Sequence, residues 1–294
     1  MRILLIINPT AGQEWKRIGV DPVQVISEYF TSTDHQLDVR ETTGQGDATV
    51  AAGQAVKDGY EMVIAAGGDG TVNEVVNGLV NTQVIFSLIP LGTENVLAKE
   101  MGIPFNIQRA CEFIDQAKVR RVDVGKVKDR YFLSFAGIGL DAHAASEVPS
   151  KLKETLGSLA FFITGLRTAW KYRKAAPRAR ITIDGKSENL AFWLIMVGNI
   201  SSFGWKVKVT PKASMTDGLL DVCIFPKKSY LGVIRQVMSA FVGVHLRLPE
   251  IKYYKARKIE IRTKPKVLVE TDGEVVGWTP CSITVAKSSL SIKI

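Results

Sequence analysis

Cysteine is scarce in this chain. Cys111, Cys223 and Cys281 are the only three, far apart and without metal-ligand spacing. They exclude a disulfide framework and a cysteine-held zinc, and they suit a reducing compartment as small buried apolar residues. Histidine is equally rare, and His35, His143 and His245 form no triad or metal pattern with any serine or cysteine motif. No apolar run approaches the ~20 residues of a membrane span; the most apolar stretch, Leu156 to Leu166, is far shorter. The N-terminus, MRILLIINPT, carries one Arg and a short apolar run that Asn8-Pro9 stops. It reads as a first strand and not as a secretory signal. A G-x-x-x-x-G-K-[ST] loop is missing, and so is a complete G-x-G-x-x-G dinucleotide fingerprint. Repeats, low-complexity tracts and long linkers are missing too.

The bulk composition is ordinary but unevenly distributed. Hydrophobic residues make up 46% and charged residues 23%, as in a soluble globular protein. A length of 294 residues suffices for two domains. The net charge of +9 conceals a division: residues 1–125 hold 10 Lys/Arg against 16 Asp/Glu, or −6, and residues 126–294 hold 28 against 13, or +15. A basic half of this kind suits an anionic membrane surface, a nucleic acid or an acidic partner.

Residues 1–125 alternate strand and helix patterns. Strands are expected at Arg2–Ile7, Leu37–Glu41, Met62–Ala66 and Val84–Ile89, and helices at Val20–Phe30, Asp47–Asp58, Val72–Val80 and Ile107–Gln116. This is an α/β layout with a mainly parallel sheet, whose ligands sit at the carboxyl ends of strands. After Val122-Asp123-Val124-Gly125 the texture changes to short β-type runs: Tyr131–Phe135, Ala179–Ile183, Ala191–Gly198, Leu219–Phe225, Lys258–Arg262 and Lys266–Glu270. Asp184-Gly185 is a hairpin signal. Helices are expected at about 151–174 and 229–245. The division reads as an α/β domain over 1–125 and a β-rich domain over 126–281, the last strands (Ser282–Ala286, Leu290–Lys293) staying in the second or returning to the first.

Residues 61–80, EMVIAAGGDGTVNEVVNGLV, are the most informative segment. An apolar strand breaks into Gly67-Gly68-Asp69-Gly70-Thr71, and a helical pattern follows. Strand, glycine turn and helix N-terminus present backbone N–H groups to an anion, usually a phosphate. Thr71 and Glu74 have capping-box spacing, which predicts the helix start. Asp69 would repel a phosphate unless it binds a cation or the nucleotide's hydroxyls. Three further loops follow strands: Asn8-Pro9-Thr10-Ala11-Gly12, Thr42 with Gly46-Asp47-Ala48, and Pro90-Leu91-Gly92-Thr93-Glu94-Asn95. Together they predict a nucleotide cleft. With few basic residues in the acidic half, phosphates there would be held by backbone amides and a metal ion more than by lysines.

Asn8-Pro-Thr-Ala-Gly12, Gly67-Gly-Asp-Gly-Thr-Val-Asn-Glu74 and Gly92-Thr-Glu-Asn95 resemble the signature of the diacylglycerol kinase catalytic family, most closely its soluble bacterial lipid kinases. The likeness continues through Gly137-Ile-Gly-Leu-Asp-Ala142, the Asn199 segment, Pro211-Lys-Ala213 with Asp217-Gly218, and Asp272-Gly-Glu274. It implies an α/β nucleotide domain joined to a β-sandwich, with the active cleft between them. It also implies an ATP- and magnesium-dependent lipid kinase of phospholipid metabolism, working in the cytoplasm or at the inner face of the membrane. By this resemblance ATP is cradled by Asn8, Pro9, Thr10, Ala11, Gly12, Thr42, Gly67, Gly68, Asp69, Gly70, Thr71, Val72, Asn73 and Thr93. Glu74, which closes the glycine motif, is implied in the same nucleotide site, and Asp272 is the general base with Glu274 as a second catalytic carboxylate beside it. Without the resemblance, Asp272-Gly273 reads as an ordinary hairpin turn. A structural Mg²⁺ is implied on Asp217 and the carbonyls of Ser214 and Leu219. Many relatives carry an acidic residue where this chain has Thr216, which weakens that site.

Two other segments bear on partners. Read as a helix, residues 151–174 place Leu152, Leu156, Leu159, Ile163, Leu166 and Trp170 on one face and Arg167, Lys171 and Lys174 on another. That pattern suits either a membrane interface or simple packing on the sandwich. Tyr253-Tyr254 among Lys252, Lys255, Arg257 and Lys258 reads as a solvated basic strand edge and not as a nucleic-acid site. Two other functions stay open: an NAD kinase using Asp69 as its catalytic carboxylate, and a catalytically silent nucleotide- or lipid-binding regulator. Oligomeric state is not encoded legibly, and a homodimer is one option.

Overall fold

A computed structural model describes residues 1–12, 15, 17, 19–139, 176–202 and 207–294. The helix expected near 151–174, His143 and the end of the Gly137–Ala142 motif (residues 140–142) lie outside the described residues. The chain divides into two compact units, Met1–Val122 with Ser288–Ile294, and Asp123–Lys287.

Unit one runs β1 (Arg2–Ile7), α1 (Pro22–Ser32), β2 (Gln36–Glu41), α2 (Asp47–Lys57), β3 (Met62–Gly67), α3 (Asp69–Leu79), β4 (Ile85–Pro90), α4 (Val96–Met101) and α5 (Ile107–Gln116). Its strands pair in parallel in the order β2-β1-β3-β4, with the chain's final residues beyond β4, where Ser291 pairs with Ile85. β3 (MVIAAG) is buried along its whole length, as the apolar run of a parallel strand covered on both faces should be. α1 begins two residues later than the periodicity predicts. Asp21 caps it, accepting the Val23 N–H at 3.0 Å, and Pro22 supplies the first turn. α4 was not foreseen, because six residues after a left-handed Asn95 (φ 48°) are too few to show a period.

Unit two runs β5 (Val119–Val127, entered from unit one), β6 (Arg130–Phe132), β7 (Phe135–Gly139), β8 (Arg178–Ile183), β9 (Lys186–Gly198), β10 (Leu220–Pro226), α6 (Tyr230–Phe241), β11 (Lys252–Ala256), β12 (Lys258–Lys264), β13 (Leu268–Thr271), β14 (Glu274–Trp278) and β15 (Cys281–Lys293, whose end returns to unit one). β9 serves two groups of strands. Its first half pairs with β8 and so joins β12 and β15, while its second half pairs with β7 and β10 and so joins β13, β14 and β11. Strands that pass from one sheet to the other make the corners of a sandwich. Phe132, Phe192, Val222, Ile259 and Ile283, all fully buried, belong to its core.

Several boundaries differ from the sequence pattern. Tyr131–Phe135 is not one strand but the end of β6 and the start of β7, broken at Leu133-Ser134. The two last strand patterns are one continuous strand, β15. β5 and β14 were not foreseen, since charged residues interrupt the first and Gly277 the second. All three cysteines are buried; burial pushes the Cys111 and Cys281 thiols up to about 12 and the Cys223 thiol up as well. Among the described residues, no helix is long and apolar enough to cross a membrane.

Candidate active site

In unit one the four loops that follow β1, β2, β3 and β4 are tied to one another by backbone. Asn8 N–H donates to Ala66 O (3.0 Å), Thr42 N–H to Ile7 O (2.9 Å), Leu91 N–H to Gly67 O (3.0 Å) and Gly12 N–H to Leu91 O (3.1 Å). The loops therefore gather beside β1 and β3, where the strand order reverses, the place at which doubly wound sheets bind ligands. Asn8 Oδ1 accepts the N–H and hydroxyl of Thr10, closing the first loop. Asn8, Pro9 and Ala11 line a cavity of about 160 Å³ together with Ile7, Pro22 and Glu41. Thr93 is exposed, and Asn73 is buried in α3 with Asn77 donating to its side-chain oxygen at 3.1 Å.

The glycine turn differs from the predicted geometry in one respect. α3 begins at Asp69 with Gly68 as its cap, without a side-chain capping bond. Thr71 and Glu74 do not form a capping box. Glu74 instead accepts the N–H groups of Gly46 (2.8 Å) and Ala48 (3.1 Å), capping the neighbouring α2. The Thr71 hydroxyl lies against Gly67, where a Cβ would come within 2.6 Å of it. Asp69 accepts the Val96 N–H at 2.8 Å, at the first residue of α4. The first intrahelical bond of α3 is Val72 N–H to Gly68 O. The N–H groups of Asp69, Gly70 and Thr71 thus precede the helical ladder, and with the helix dipole they make an N-terminus suited to an anion.

In unit two Asp272 (φ 47°) and Gly273 (φ 86°) form the two-residue turn between paired Thr271 and Glu274. Positive φ at both positions is the type I′ hairpin turn. The Asp272 side chain is held firmly: Oδ2 accepts the Leu133 N–H (2.9 Å), and Oδ1 accepts those of Ser134 (3.0 Å) and Phe135 (2.9 Å). Buried Asn199 supports that cradle from behind, donating to Leu133 O (3.0 Å) and Asp123 O (2.9 Å). Glu274 is ion-paired with Arg130. The break at Leu133-Ser134, read as mid-strand in the sequence, is thus what aims three amides at one carboxylate.

The loop that the family resemblance implies for a structural metal carries an ion pair. Lys255 Nζ on β11 lies 2.7 Å from Asp217 Oδ2, 3.0 Å from the fully buried Asp221 and 2.8 Å from Lys212 O. The second Asp217 oxygen accepts the Leu219 N–H at 3.1 Å. Asp221 also accepts the Tyr253 hydroxyl at 2.6 Å, and Asp123 accepts the Gly218 N–H at 2.6 Å. Among the described residues no cluster of three or more His, Cys, Asp or Glu could hold a metal ion. Lys255 thus lies against the side-chain oxygen that Asp217 would offer a cation, while sharing its single charge with Asp221. The Lys-Tyr-Tyr-Lys run carried that signal in the sequence, yet it showed only as a basic edge. β11 is indeed an edge, pairing only with β10 among the described residues.

Residues 2–127 match the family model described as "Diacylglycerol kinase catalytic domain", and residues 134–294 match "YegS C-terminal NAD kinase beta sandwich-like domain". The chain is 34% identical over 282 residues to a diacylglycerol kinase of Bacillus subtilis (strain 168), covering 95% of this chain and 91% of that one. It is 33% identical over 288 residues to a diacylglycerol kinase of Staphylococcus aureus (strain bovine RF122 / ET3-1), covering 96% and 88%. A crystal structure of a diacylglycerol kinase from Bacillus anthracis str. Sterne superposes with a TM-score of 0.79 at 28% identity, over 99% of this chain and 96% of the other. On this evidence the chain belongs to the diacylglycerol kinase catalytic family.

Proposed function

We propose that this chain is a lipid kinase that transfers the γ-phosphate of ATP to a hydroxyl of diacylglycerol or a related membrane lipid. The observation that carries the reading is the Asp272 carboxylate, fixed by the amides of Leu133, Ser134 and Phe135 in a chain whose other unit gathers glycine loops at a sheet's carboxyl edge. Phosphoryl transfer asks chiefly for positioning and charge stabilisation. The lipid oxygen would form its bond to the γ-phosphorus as the bond to the β–γ bridging oxygen breaks, and ADP would leave with that electron pair. Asp272 would take the hydroxyl proton. Backbone amides at the start of α3 would hold phosphate, with Asn8 to Gly12, Thr42 and Thr93 around the nucleotide. Mg²⁺, when bound with ATP, would neutralise phosphate charge; the donors in these loops are hard oxygens, as Mg²⁺ prefers, and Asp69 would hold it.

The substrate class and the +15 balance of residues 126–294 support work in the cytoplasm with peripheral contact at an anionic membrane face. The direct test incubates protein, Mg·ATP labelled at the γ-position and a total lipid extract, with Asp272→Asn as control. Label should enter a lipid with the parent protein and not with the variant. Label entering NAD instead, or undiminished lipid labelling by Asp272→Asn, removes the assignment.

A further inference from the structure

The face that β8 and β12 turn to solvent is built from cations set directly opposite one another. Arg180 pairs with Arg262, and Arg178 with Lys264, in the antiparallel register. Strand alternation sends Ala179, Ile181 and Ile261 into the core and all four cations outward, where each is exposed. Asn189 on β9 stands in the same row, opposite Arg180. Together these cations and Asn189 line an open concavity of about 720 Å³.

Like charges placed directly opposite on a sheet are destabilising, so the arrangement calls for a counter-charge. Among the described residues the protein supplies none: no hydrogen bond, ion pair or ring contact engages Arg178, Arg180, Arg262 or Lys264. Glu260, one row along β12, is taken by Lys258 at 3.0 Å. The sequence holds no Asp or Glu from Thr155 to Ile183 or from Ile261 to Val269. Strand spacing sets the four α-carbons at the corners of a rectangle roughly 5 Å by 7 Å. That footprint converges four side chains on one small polyanion and suits it better than an extended polymer or a flat protein face. Arginine forks grip phosphate oxygens in pairs, and the Asn189 amide adds a neutral donor.

The concavity is separate from the Asp272 turn. Arg178 pairs with Ala191 on β9, whereas Phe135, which donates to Asp272, pairs with Gly198. Those rungs lie seven residues apart along β9, roughly 23 Å of extended chain.

We propose that this concavity is a binding site for a phosphate group, carried by an anionic phospholipid headgroup or by a soluble phosphate compound. The inference goes beyond the lipid kinase reading and holds without it.

The test compares the full chain with Arg180→Gln plus Arg262→Gln in two arms. One titrates inorganic phosphate calorimetrically, with the nucleotide loops filled by a non-hydrolysable ATP analogue. The other sediments protein with phosphatidylcholine vesicles made with and without phosphatidylglycerol. The variant should lose about tenfold or more in affinity in at least one arm, since charge-assisted bonds to phosphate are the stronger kind. Loss in the first arm alone names a soluble phosphate compound as the ligand, and loss in the second alone names a headgroup. Lys227→Gln with Lys228→Gln removes equal charge elsewhere on unit two and should bind like the parent. Without phosphate the arginine variant should melt no lower than the parent, because it relieves facing cations. A parent protein that binds in neither arm overturns the proposal. So does equal loss from the lysine pair, which would make the attraction diffuse charge alone. A parent dimer that the arginine variant turns into a monomer also overturns it, since the face would then join copies.

Discussion

Gly92 lies against Gly68, backbone to backbone: a Cβ built on Gly92 would come within 2.5 Å of the Gly68 α-carbon. Asn95 locks the same loop, accepting the Gly92 N–H at 3.1 Å while donating to Gly92 O at 2.5 Å. Gly92→Ala should therefore force the two loops apart at a cost of about 1–3 kcal/mol and weaken nucleotide binding. Gly68→Ala meets ordinary contact at 3.5 Å and should be milder. Thermal melts and ATP-binding isotherms of the two variants give the comparison; equal effects would contradict the geometry.

Glu74 is a structural carboxylate in this fold, since its oxygens satisfy Gly46 and Ala48 at the start of α2. Glu74→Ala should destabilise unit one by about 1–3 kcal/mol, the cost of leaving buried donors unmet. Glu74→Gln keeps an acceptor and should lose less. Chemical denaturation resolves the two, and an unchanged midpoint in Glu74→Ala would refute the capping role.

Lys255 should make the Asp217 loop indifferent to chelators. Removing its ammonium leaves buried Asp221 uncompensated, which can cost up to about 3 kcal/mol, discounted because the Lys255 side chain is 33% exposed. The parent protein should melt at the same temperature in EDTA and in Mg²⁺, whereas Lys255→Met should melt lower and recover partly with Mg²⁺. A parent protein that loses stability in EDTA, with Asp217→Asn abolishing that sensitivity, would place a metal there after all.

His245 is fully buried, its Nε2 bonded to Val209 O at 3.0 Å. Burial lowers its pKa below the ordinary value, and the bond to Val209 opposes that shift in part. The unfolded chain then binds a proton that the native state refuses, so stability rises with pH up to about 6.5 and falls as pH drops below it. Denaturation midpoints between neutral and mildly acidic pH should decline, and His245→Gln should flatten that decline. An equally steep profile in the variant would assign the loss to other groups.

The membrane reading of residues 151–174 falls outside the described residues, so Arg167→Glu with Lys171→Glu is tested as the sequence suggests. That pair should weaken binding to anionic vesicles while the fold survives, and unaltered binding would remove the idea.

The order of strand, glycine turn and helix was legible because each step is local. β3 is a short apolar run, Gly67 is required by the Thr71 side chain four residues on, and Asp272-Gly273 carries the turn in its own φ angles. The family signature was legible for the same reason, residing in short runs with fixed spacing. Local signals also misled: Thr71 and Glu74 have the spacing of a cap that they do not form.

What the sequence determined by itself was which residues turn, which are buried and where backbone must approach backbone. Tertiary structure alone decided what Glu74, Asp221 and Asp272 meet. Glu74 finds its amides 26 and 28 residues away, Asp221 its ammonium 34 away, and Asp272 its cradle 137 to 139 away. A charged group takes whichever partner the fold delivers within hydrogen-bond reach, and sequence spacing does not encode a distance closed by sheet pairing.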